Sequence, residues 1–271
     1  MISRSERWVN YLILSAFALF ALYPLLSVVS AALTPQGQVP TLLPTQITGG
    51  NFAEAWELGR FGTYLRTSVV VSACVVVLAT IFSVMAGYAF GTMRFPGSAL
   101  LFYVLLLGIM VPTEAIVVPL FFDLREIGLT NTLWALVLPQ TAQSVAFGTF
   151  WMRAYFRSSS RSMMEAARLD GAGHWRTLWS IMVPIGRPAM VTMIVLVFMW
   201  TWNEFLIPLV MVTDESLRTA PLGLAFFQGQ YTSDFGLLAA GAAIVALPVV
   251  VVYLFLQRHF IRGMLEGAVK E

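Results

Sequence analysis

Charged residues are scarce in this sequence, and that scarcity excludes most soluble classes. Only 11% of the 271 residues are Asp, Glu, Lys or Arg, whereas 58% are hydrophobic. A typical soluble domain carries charge on about 25% of its residues, which cover its surface. The composition therefore places this chain in a lipid bilayer.

Residue types that perform chemistry are also few. The single cysteine, Cys74, lies inside an apolar run, so an intrachain disulfide is excluded. The two histidines, His174 and His259, have no Cys or carboxylate at metal-ligand spacing. The chain lacks the Gly-rich phosphate-binding signature and any arrangement of nucleophile, base and acid. We expect no catalytic residue, no metal site and no cofactor bound by this chain.

Long apolar runs are what the sequence has instead. A bilayer core of about 30 Å takes about 20 apolar residues of helix, and these runs are too long and too uniform for barrel strands. We predict an all-α integral membrane protein with one transmembrane domain over residues 1–271 and six transmembrane helices. The predicted spans are residues 8–33, 69–90, 99–122, 132–152, 188–212 and 235–256.

The distribution of basic residues predicts how these spans are oriented. Twelve of the 16 Lys and Arg residues lie in one alternate set of connections and four in the other. The positive-inside rule then places both termini, residues 91–98 and residues 153–187 in the cytoplasm. This basic side would face anionic lipid rather than nucleic acid. The first segment exceeds the roughly 7–15 residues of a signal-peptide core, so we expect it to be retained.

The cytoplasmic stretch at residues 158–184 is too polar to span the bilayer. Ser162 and Glu165 have the spacing of a capping box, which predicts a helix from there through Leu169. Gly171 and Gly173 should end it, and a second short helix should run from near His174 until Pro184 stops it. Exposed apolar residues on such a projection, including Leu169 and Trp175, favour a groove of another protein over the alternative, a membrane-surface helix.

Two outer connections are long enough to have a function. Residues 34–67 contain Trp56 among apolar and acidic neighbours, which predicts a short helix of undetermined role. Residues 213–234 form an outer loop with a polar tip at Gln228, Gln230 and Tyr231, which could contact a partner outside the membrane or act only as a linker.

Several short motifs resemble one family of transport proteins. Glu165-Ala166-Ala167, then Gly171, then IMVP at residues 181–184 resemble the EAA loop by which permeases of ABC importers dock on their ATPase. GLTNT at 128–132, WNEFL at 202–206, QRHF at 257–260 and GAVK at 267–270 resemble carbohydrate importer permeases, in a form similar to the smaller permease subunit of the maltose transporter. Val183 stands where the family usually has Leu.

The resemblance implies a complete import machine around this chain. It implies a type I ABC importer permease fold in the plasma (inner) membrane of a prokaryote. The implied partners are a second permease subunit, an ATPase dimer that holds ATP and Mg, and an extracytoplasmic sugar-binding protein. The residues that would couple to the ATPase are Glu165, Ala166, Ala167, Leu169, Asp170, Gly171 and Trp175.

Polar side chains inside the predicted spans mark the candidate sugar pathway. Polar and aromatic groups that converge at one depth suit a sugar, although hydrogen bonds between helices would explain them equally well. The candidates are Glu114, Gln140, Gln143, Trp202, Asn203 and Glu204. A secondary transporter or channel that uses Glu114 and Glu204 as ion or proton sites is the alternative function, and the sequence shows no inverted repeat to support it.

Overall fold

Helices account for the regular structure of the described residues. A computed structural model describes residues 3–42, 44, 46–158, 161–230 and 234–268. In chain order the α-helices are α1 (Arg4–Leu33), α2 (Gly50–Leu58), α3 (Phe61–Thr92), α4 (Ser98–Met110), α5 (Thr113–Glu126), α6 (Leu133–Ser158), α7 (Arg161–Leu169), α8 (His174–Arg176), α9 (Val183–Ile185), α10 (Arg187–Asn203), α11 (Leu206–Met211), α12 (Ala220–Gln230) and α13 (Phe235–Ala268). A π-helical turn, Thr177–Met182, joins α8 to α9, and a 3-10 turn, Glu215–Leu217, precedes α12.

Three of the described helices, α1, α3 and α13, are long and apolar enough to cross a membrane alone. Two further pairs qualify only if each bent pair is one span, which brings the number to as many as five. Helix α6 is not in this set, because Gln140, Gln143 and other polar residues interrupt its apolar sequence. The prediction of six spans therefore stays a prediction.

The predicted third span is divided into two helices. Helix α4 ends at Met110, α5 starts at Thr113, and the two are bent by 100°. Pro112 stands immediately before α5 with φ −66° and ψ 137°. Proline lacks an N–H and disfavours helical backbone in the residue before it, so a chain break at this point has a local cause.

The predicted fifth span is also divided, at Glu204 and Phe205, between α10 and α11. Two polar side chains bond backbone groups at this break. Glu204 Oε1 accepts a hydrogen bond from the Ile207 N–H at 3.0 Å, and Asn203 Nδ2 donates to the Met199 carbonyl at 2.7 Å. Such bonds make a helix break tolerable at membrane depth, where water is scarce.

The described chain divides into two compact units. The larger lies within Tyr64–Pro221 and Val249–Glu271. In it, α3 and α6 pack closely at glycines: a Cβ added to Gly87 would lie 2.6 Å from the Met152 Cβ. A Cβ added to Gly148 would clash with the Ser83 side chain and would lie 2.9 Å from the Met193 Sδ. Small residues of this kind let helix backbones approach one another in a membrane.

One side chain joins two loops of the larger unit. Asn131 has φ 59° and its Oδ1 accepts hydrogen bonds from the N–H groups of Thr213 and Asp214 at 3.0 and 2.8 Å. Its own N–H donates to the Met211 carbonyl at 2.9 Å. The loop that precedes α6 is thereby fixed to the segment that follows α11.

The smaller unit lies within Met1–Thr63 and Leu222–Pro248. Its helix α2 confirms the short helix predicted between residues 34 and 67. Buried Asn51 holds α2 to the end of α1, since its Nδ2 donates to the carbonyls of Ala32 and Thr34 at 2.9 and 2.8 Å.

The predicted outer loop at residues 213–234 is largely helical. Helix α12 occupies much of it, with Pro221 at its start, where the missing N–H is tolerated. Within the smaller unit, Leu222 is 1% exposed and the Phe227 ring packs edge-on to Phe61 at 5.8 Å. An apolar, buried face explains why this segment folds onto the protein.

Candidate functional site

The segment at residues 158–184, which the sequence predicts to be cytoplasmic, forms two short helical stretches in its described residues, as predicted. Helix α7 starts at Arg161, one residue before the predicted cap Ser162, whose side chain lies outside the described set. A Schellman motif ends α7: the Ala172 N–H donates to the Ala167 carbonyl at 2.9 Å and the Gly171 N–H to the Arg168 carbonyl at 3.0 Å. Gly171 has φ +74°, a conformation that a side chain would strain.

The second stretch does not end at Pro184, contrary to the sequence analysis. Helix α8 continues through the π-helical turn into α9, in which Pro184 occupies the first turn. Proline is tolerated in this continuous stretch because the π-helical turn before it re-pairs the backbone, with the Val183 N–H donating to the Leu178 carbonyl. Gly186 follows, where a Cβ would lie 2.8 Å from the Tyr155 ring.

The inner face of this segment is anchored in the larger unit. Ala167, Leu178 and Met182 are 4%, 3% and 1% exposed. At the start of α8, the His174 Nδ1 lies 3.5 Å from the hydroxyl of Tyr88 on α3, and their rings are 6.3 Å apart. The segment is therefore held at several points and is not a free linker.

Its outer face presents both apolar and acidic groups. Leu169 is 90% exposed and Trp175 is 65% exposed. Glu165, Ala166 and Asp170 are exposed as well, and no hydrogen bond or ion pair to the Glu165 carboxylate occurs among the described residues. Two large apolar side chains and two exposed carboxylates on one small projection suit a protein partner.

A cavity of about 240 Å³ lies beside Glu165. Helix α7 contributes Met164, Glu165 and Arg168, and the ends of α3 and α6 contribute further basic and apolar groups. The remaining lining residues are Gly91, Thr92, Met93, Arg94, Phe156 and Arg157.

A second cavity, of about 180 Å³, lies in the larger unit between the α4–α5 break, α6 and the end of α10. It brings together three of the predicted pathway residues, Gln140, Gln143 and Glu204. The other lining residues are Gly108, Ile109, Val111, Thr113, Ser144, Phe147, Trp200 and Thr201.

Hydrogen bonds fix the two glutamines differently. Gln140 is 4% exposed, its Nε2 donates to the Leu136 carbonyl at 2.9 Å, and its buried Oε1 has no partner among the residues that the structure describes. Gln143 Nε2 donates to the Thr113 Oγ1 at 3.1 Å, which ties α6 to the first turn of α5. An unpaired buried amide oxygen is costly, so it marks a place where a donor belongs.

Three other predicted pathway residues lie outside this cavity. Glu114 is exposed in the first turn of α5. Trp202 is 2% exposed and packs against Phe198 with ring centroids 5.5 Å apart, while Asn203 is exposed and bonds the Met199 carbonyl. Glu114 and Glu204 therefore do not line one site, and the geometry gives no support to an ion path through both.

Sequence reasoning missed most of the cavity lining. Gln140, Gln143, Ser144 and Phe147 stand at positions i, i+3, i+4 and i+7 of α6, so helical periodicity could have found that face. Thr113 and Trp200 join it only through the break after α4 and the packing of α10. At the tip that the sequence predicts to lie outside the membrane, the side chains of Gln228 and Gln230 and all of Tyr231 lie outside the described residues.

Residues 81–266 match the family model described as "Binding-protein-dependent transport system inner membrane component". The chain belongs to this family. The match confirms the resemblance to importer permeases and identifies a non-catalytic membrane subunit.

Curated members of this inner membrane family are similar over nearly the whole chain. The chain is 35% identical over 251 residues to the probable ABC transporter permease protein YurM of Bacillus subtilis. The aligned region covers 92% of this chain and 83% of that protein. It is 31% identical over 264 residues to the diacetylchitobiose uptake system permease protein NgcG of Streptomyces coelicolor, with 96% and 87% covered.

Solved structures of importers share the fold of this inner membrane component. One chain of a bacterial ABC transporter involved in the import of the acidic polysaccharide alginate aligns with TM-score 0.82 at 27% identity, covering 96% of this chain and 99% of that chain. A second alginate transporter chain, solved in complex with a pentasaccharide-bound periplasmic protein, aligns with TM-score 0.67 at 13% identity and 93% coverage of both chains. At that identity the second comparison shows the fold alone.

Proposed function

We propose that this chain forms half of the translocation pathway of an ATP-driven sugar importer and receives the ATPase on its cytoplasmic segment. The observation that carries the proposal is the projection built from α7 and α8. It is anchored by buried Ala167, Leu178 and Met182, and it exposes Glu165, Leu169 and Trp175. A rigid projection with exposed apolar side chains can transmit a displacement, which a mobile linker cannot.

The ATPase contact would combine apolar and ionic parts. Leu169 and Trp175 would enter an apolar groove, and the Glu165 carboxylate would pair with a basic residue of the ATPase. Ala166 and Asp170 complete the exposed face, while Gly171 sets the angle between α7 and α8. ATP and Mg would be held by the ATPase dimer.

The remaining partners belong to the same proposal. A second permease subunit would supply the other half of the pathway, and an extracytoplasmic sugar-binding protein would deliver the substrate. The family description, which names binding-protein-dependent transport, supports this assembly. Residues Gln228, Gln230 and Tyr231 would contact the binding protein.

Sugar is the substrate that the relatives support. Among them are permeases named for diacetylchitobiose, arabinooligosaccharides and trehalose. The cavity lined by Gln140, Gln143 and Glu204 offers amide and carboxylate groups beside aromatic rings, which suits a polyhydroxylated ligand. We place this cavity on the pathway, in a prokaryotic inner membrane that the chain crosses six times with both termini in the cytoplasm.

Co-purification tests the ATPase contact directly. A tagged chain, extracted in mild detergent from its own cells, should retain an ATPase and a second permease. The double variant Leu169→Ser/Trp175→Ser should lose the ATPase and keep the permease. The matched control Leu100→Ser/Tyr103→Ser changes two exposed apolar residues of α4 outside the projection. Retention of the ATPase by the first variant would contradict the proposal.

A further inference from the structure

The cavity between α4, α6 and α10 carries one sign of charge. Among the described residues that line it, Glu204 is the one with an acidic side chain, and none is Lys, Arg or His. One Glu204 oxygen already accepts the Ile207 N–H at 3.0 Å, which leaves the other oxygen available to a ligand hydroxyl. In a site partly removed from water, an uncompensated carboxylate strongly disfavours a second negative charge.

The neutral lining groups match hydroxyl groups in kind. Gln140 Oε1 is an acceptor buried without a partner, and the hydroxyls of Thr113, Ser144 and Thr201 can both donate and accept. A sugar hydroxyl could donate a hydrogen bond to the Gln140 Oε1. Its binding would remove the cost of leaving that oxygen unpaired.

Aromatic rings supply the apolar part of the lining. Trp200 is 51% exposed, and its ring stands edge-on to Phe147 with centroids 4.7 Å apart. A sugar ring has an apolar C–H face and a polar rim of hydroxyls, so it fits a lining of aromatic and amide groups. The volume of about 180 Å³ is well below the roughly 300–1,000 Å³ of pockets for drug-sized ligands, so the space suits one sugar unit of a longer chain.

We propose that this cavity is a subsite for a single uncharged sugar unit, with Gln140 as its buried hydrogen-bond acceptor and Glu204 as the group that disfavours uronic acids. The inference rests on the proposed function and narrows its substrate class. Among the described lining residues, no Lys, Arg or His would neutralise a uronate in this cavity.

The first test asks whether Gln140 contacts the sugar. The complete complex, with second permease, ATPase and binding protein, is reconstituted in vesicles. The neutral disaccharide that gives the greatest ATP-dependent uptake is chosen from diacetylchitobiose, arabinobiose and trehalose. Gln140→Met keeps the side-chain length and removes the amide, so uptake should fall at least tenfold while assembly and ATP hydrolysis persist. Gln257→Met is the matched control, because Gln257 also donates to a backbone carbonyl, that of Leu254, but lies outside the cavity.

The second test asks whether Glu204 selects against charge. Equilibrium dialysis of the complex without its binding protein compares the chosen disaccharide with the uronate made by oxidising a primary alcohol of that disaccharide, or the terminal C5 alcohol of arabinobiose, to a carboxylate. The wild type should prefer the neutral sugar at least tenfold. Glu204→Gln should reduce that preference several-fold, since an amide oxygen can still accept the Ile207 N–H. Glu126→Gln, which removes an exposed charge at the end of α5, should leave the preference unchanged.

The outcomes distinguish failure of the sugar subsite from failure of the proposed importer function. Wild-type uptake by Gln140→Met, or equal binding of uronate and neutral sugar by the wild type, would overturn the subsite and leave the importer function standing. Vesicles of the wild-type complex that take up no sugar would overturn the proposed function and the subsite with it.

Discussion

Glu165 has two candidate roles, and the two predict different effects of replacing its carboxylate. A carboxylate near the start of α7 could cap the helix, which is worth about 1 kcal/mol and which Gln can also do. Alternatively it pairs with a basic residue of the ATPase. The structure gives Glu165 an exposed position and no ion pair among the described residues, which leaves it available for a partner.

We predict that Glu165→Gln weakens ATPase docking. Loss of one partner from a desolvated charge pair costs about 2–5 kcal/mol, so the ATPase affinity should fall by roughly 30-fold or more. Titrating purified ATPase onto the permease pair measures it, and ATP-driven uptake should fall in parallel. Glu126→Gln serves as the control variant. Wild-type affinity and uptake for Glu165→Gln would leave only the capping role.

Asn131 illustrates a second single-residue effect, on stability. Asn131→Ala removes the acceptor of two backbone hydrogen bonds and places alanine at φ 59°, which asparagine tolerates better. We expect a loss of about 1–3 kcal/mol in the free energy of unfolding, visible as a lower melting temperature in detergent. Asn131→Asp keeps the acceptor oxygen and should melt close to the wild type, and equal melting of the Ala variant would contradict this role.

At the scale of elements, the end of α7 depends on backbone conformation. Gly171→Val places a β-branched residue at φ +74°, at a cost of roughly 1–2 kcal/mol, and should rotate α7 against α8. ATP hydrolysis and sugar uptake should become uncoupled, which the ratio of ATP consumed to sugar imported measures. Gly173→Ala is the matched control, since Gly173 has φ −70° and open space around it. An unchanged ratio for Gly171→Val would refute this role of the bend.

The close packing of α6 against α3 and α10 leads to a separate prediction, on thermal stability. Gly148→Ala would place a methyl group against Ser83 and Met193, and overpacking of this kind costs about 1–3 kcal/mol. The variant should melt at a lower temperature. Gly108→Ala makes the same change on α4, where the nearest atom is 4.0 Å away, and should not lower the melting temperature. Equal melting of both variants would show that α6 can move aside.

How well an element could be predicted depended on where its determinants lie. The two short helices of residues 158–184 follow from caps and glycines a few residues apart, and the structure confirms both, with the second running past Pro184 to Ile185. The breaks at Pro112 and Glu204 escaped hydropathy, since an average over about 20 residues is insensitive to one interrupted turn. Helix α12 was predicted as a loop because its buried face depends on contacts with residues distant in sequence, such as Phe61.

At the scale of the whole molecule, the fold is more conserved than the sequence. A solved chain with 13% identity still aligns with TM-score 0.67 over 93% of this chain. In lipid, a helix must be apolar and must satisfy its own backbone, and many sequences meet both requirements. The family could be predicted from short motifs, which are local in sequence. The cavity could not, because its lining comes from helix breaks and packing that bring together α4, α5, α6 and α10.

ATP-dependent uptake by defined vesicles tests the central claim most directly. The vesicles contain this chain, the second permease and the ATPase, and they are supplied with binding protein and a neutral disaccharide. They should accumulate sugar only when ATP is present on the side of the membrane that carries the ATPase. Omission of this chain should abolish uptake, and a proton gradient should not replace ATP. Uptake driven by a proton gradient in vesicles that contain this chain without an ATPase would contradict the account.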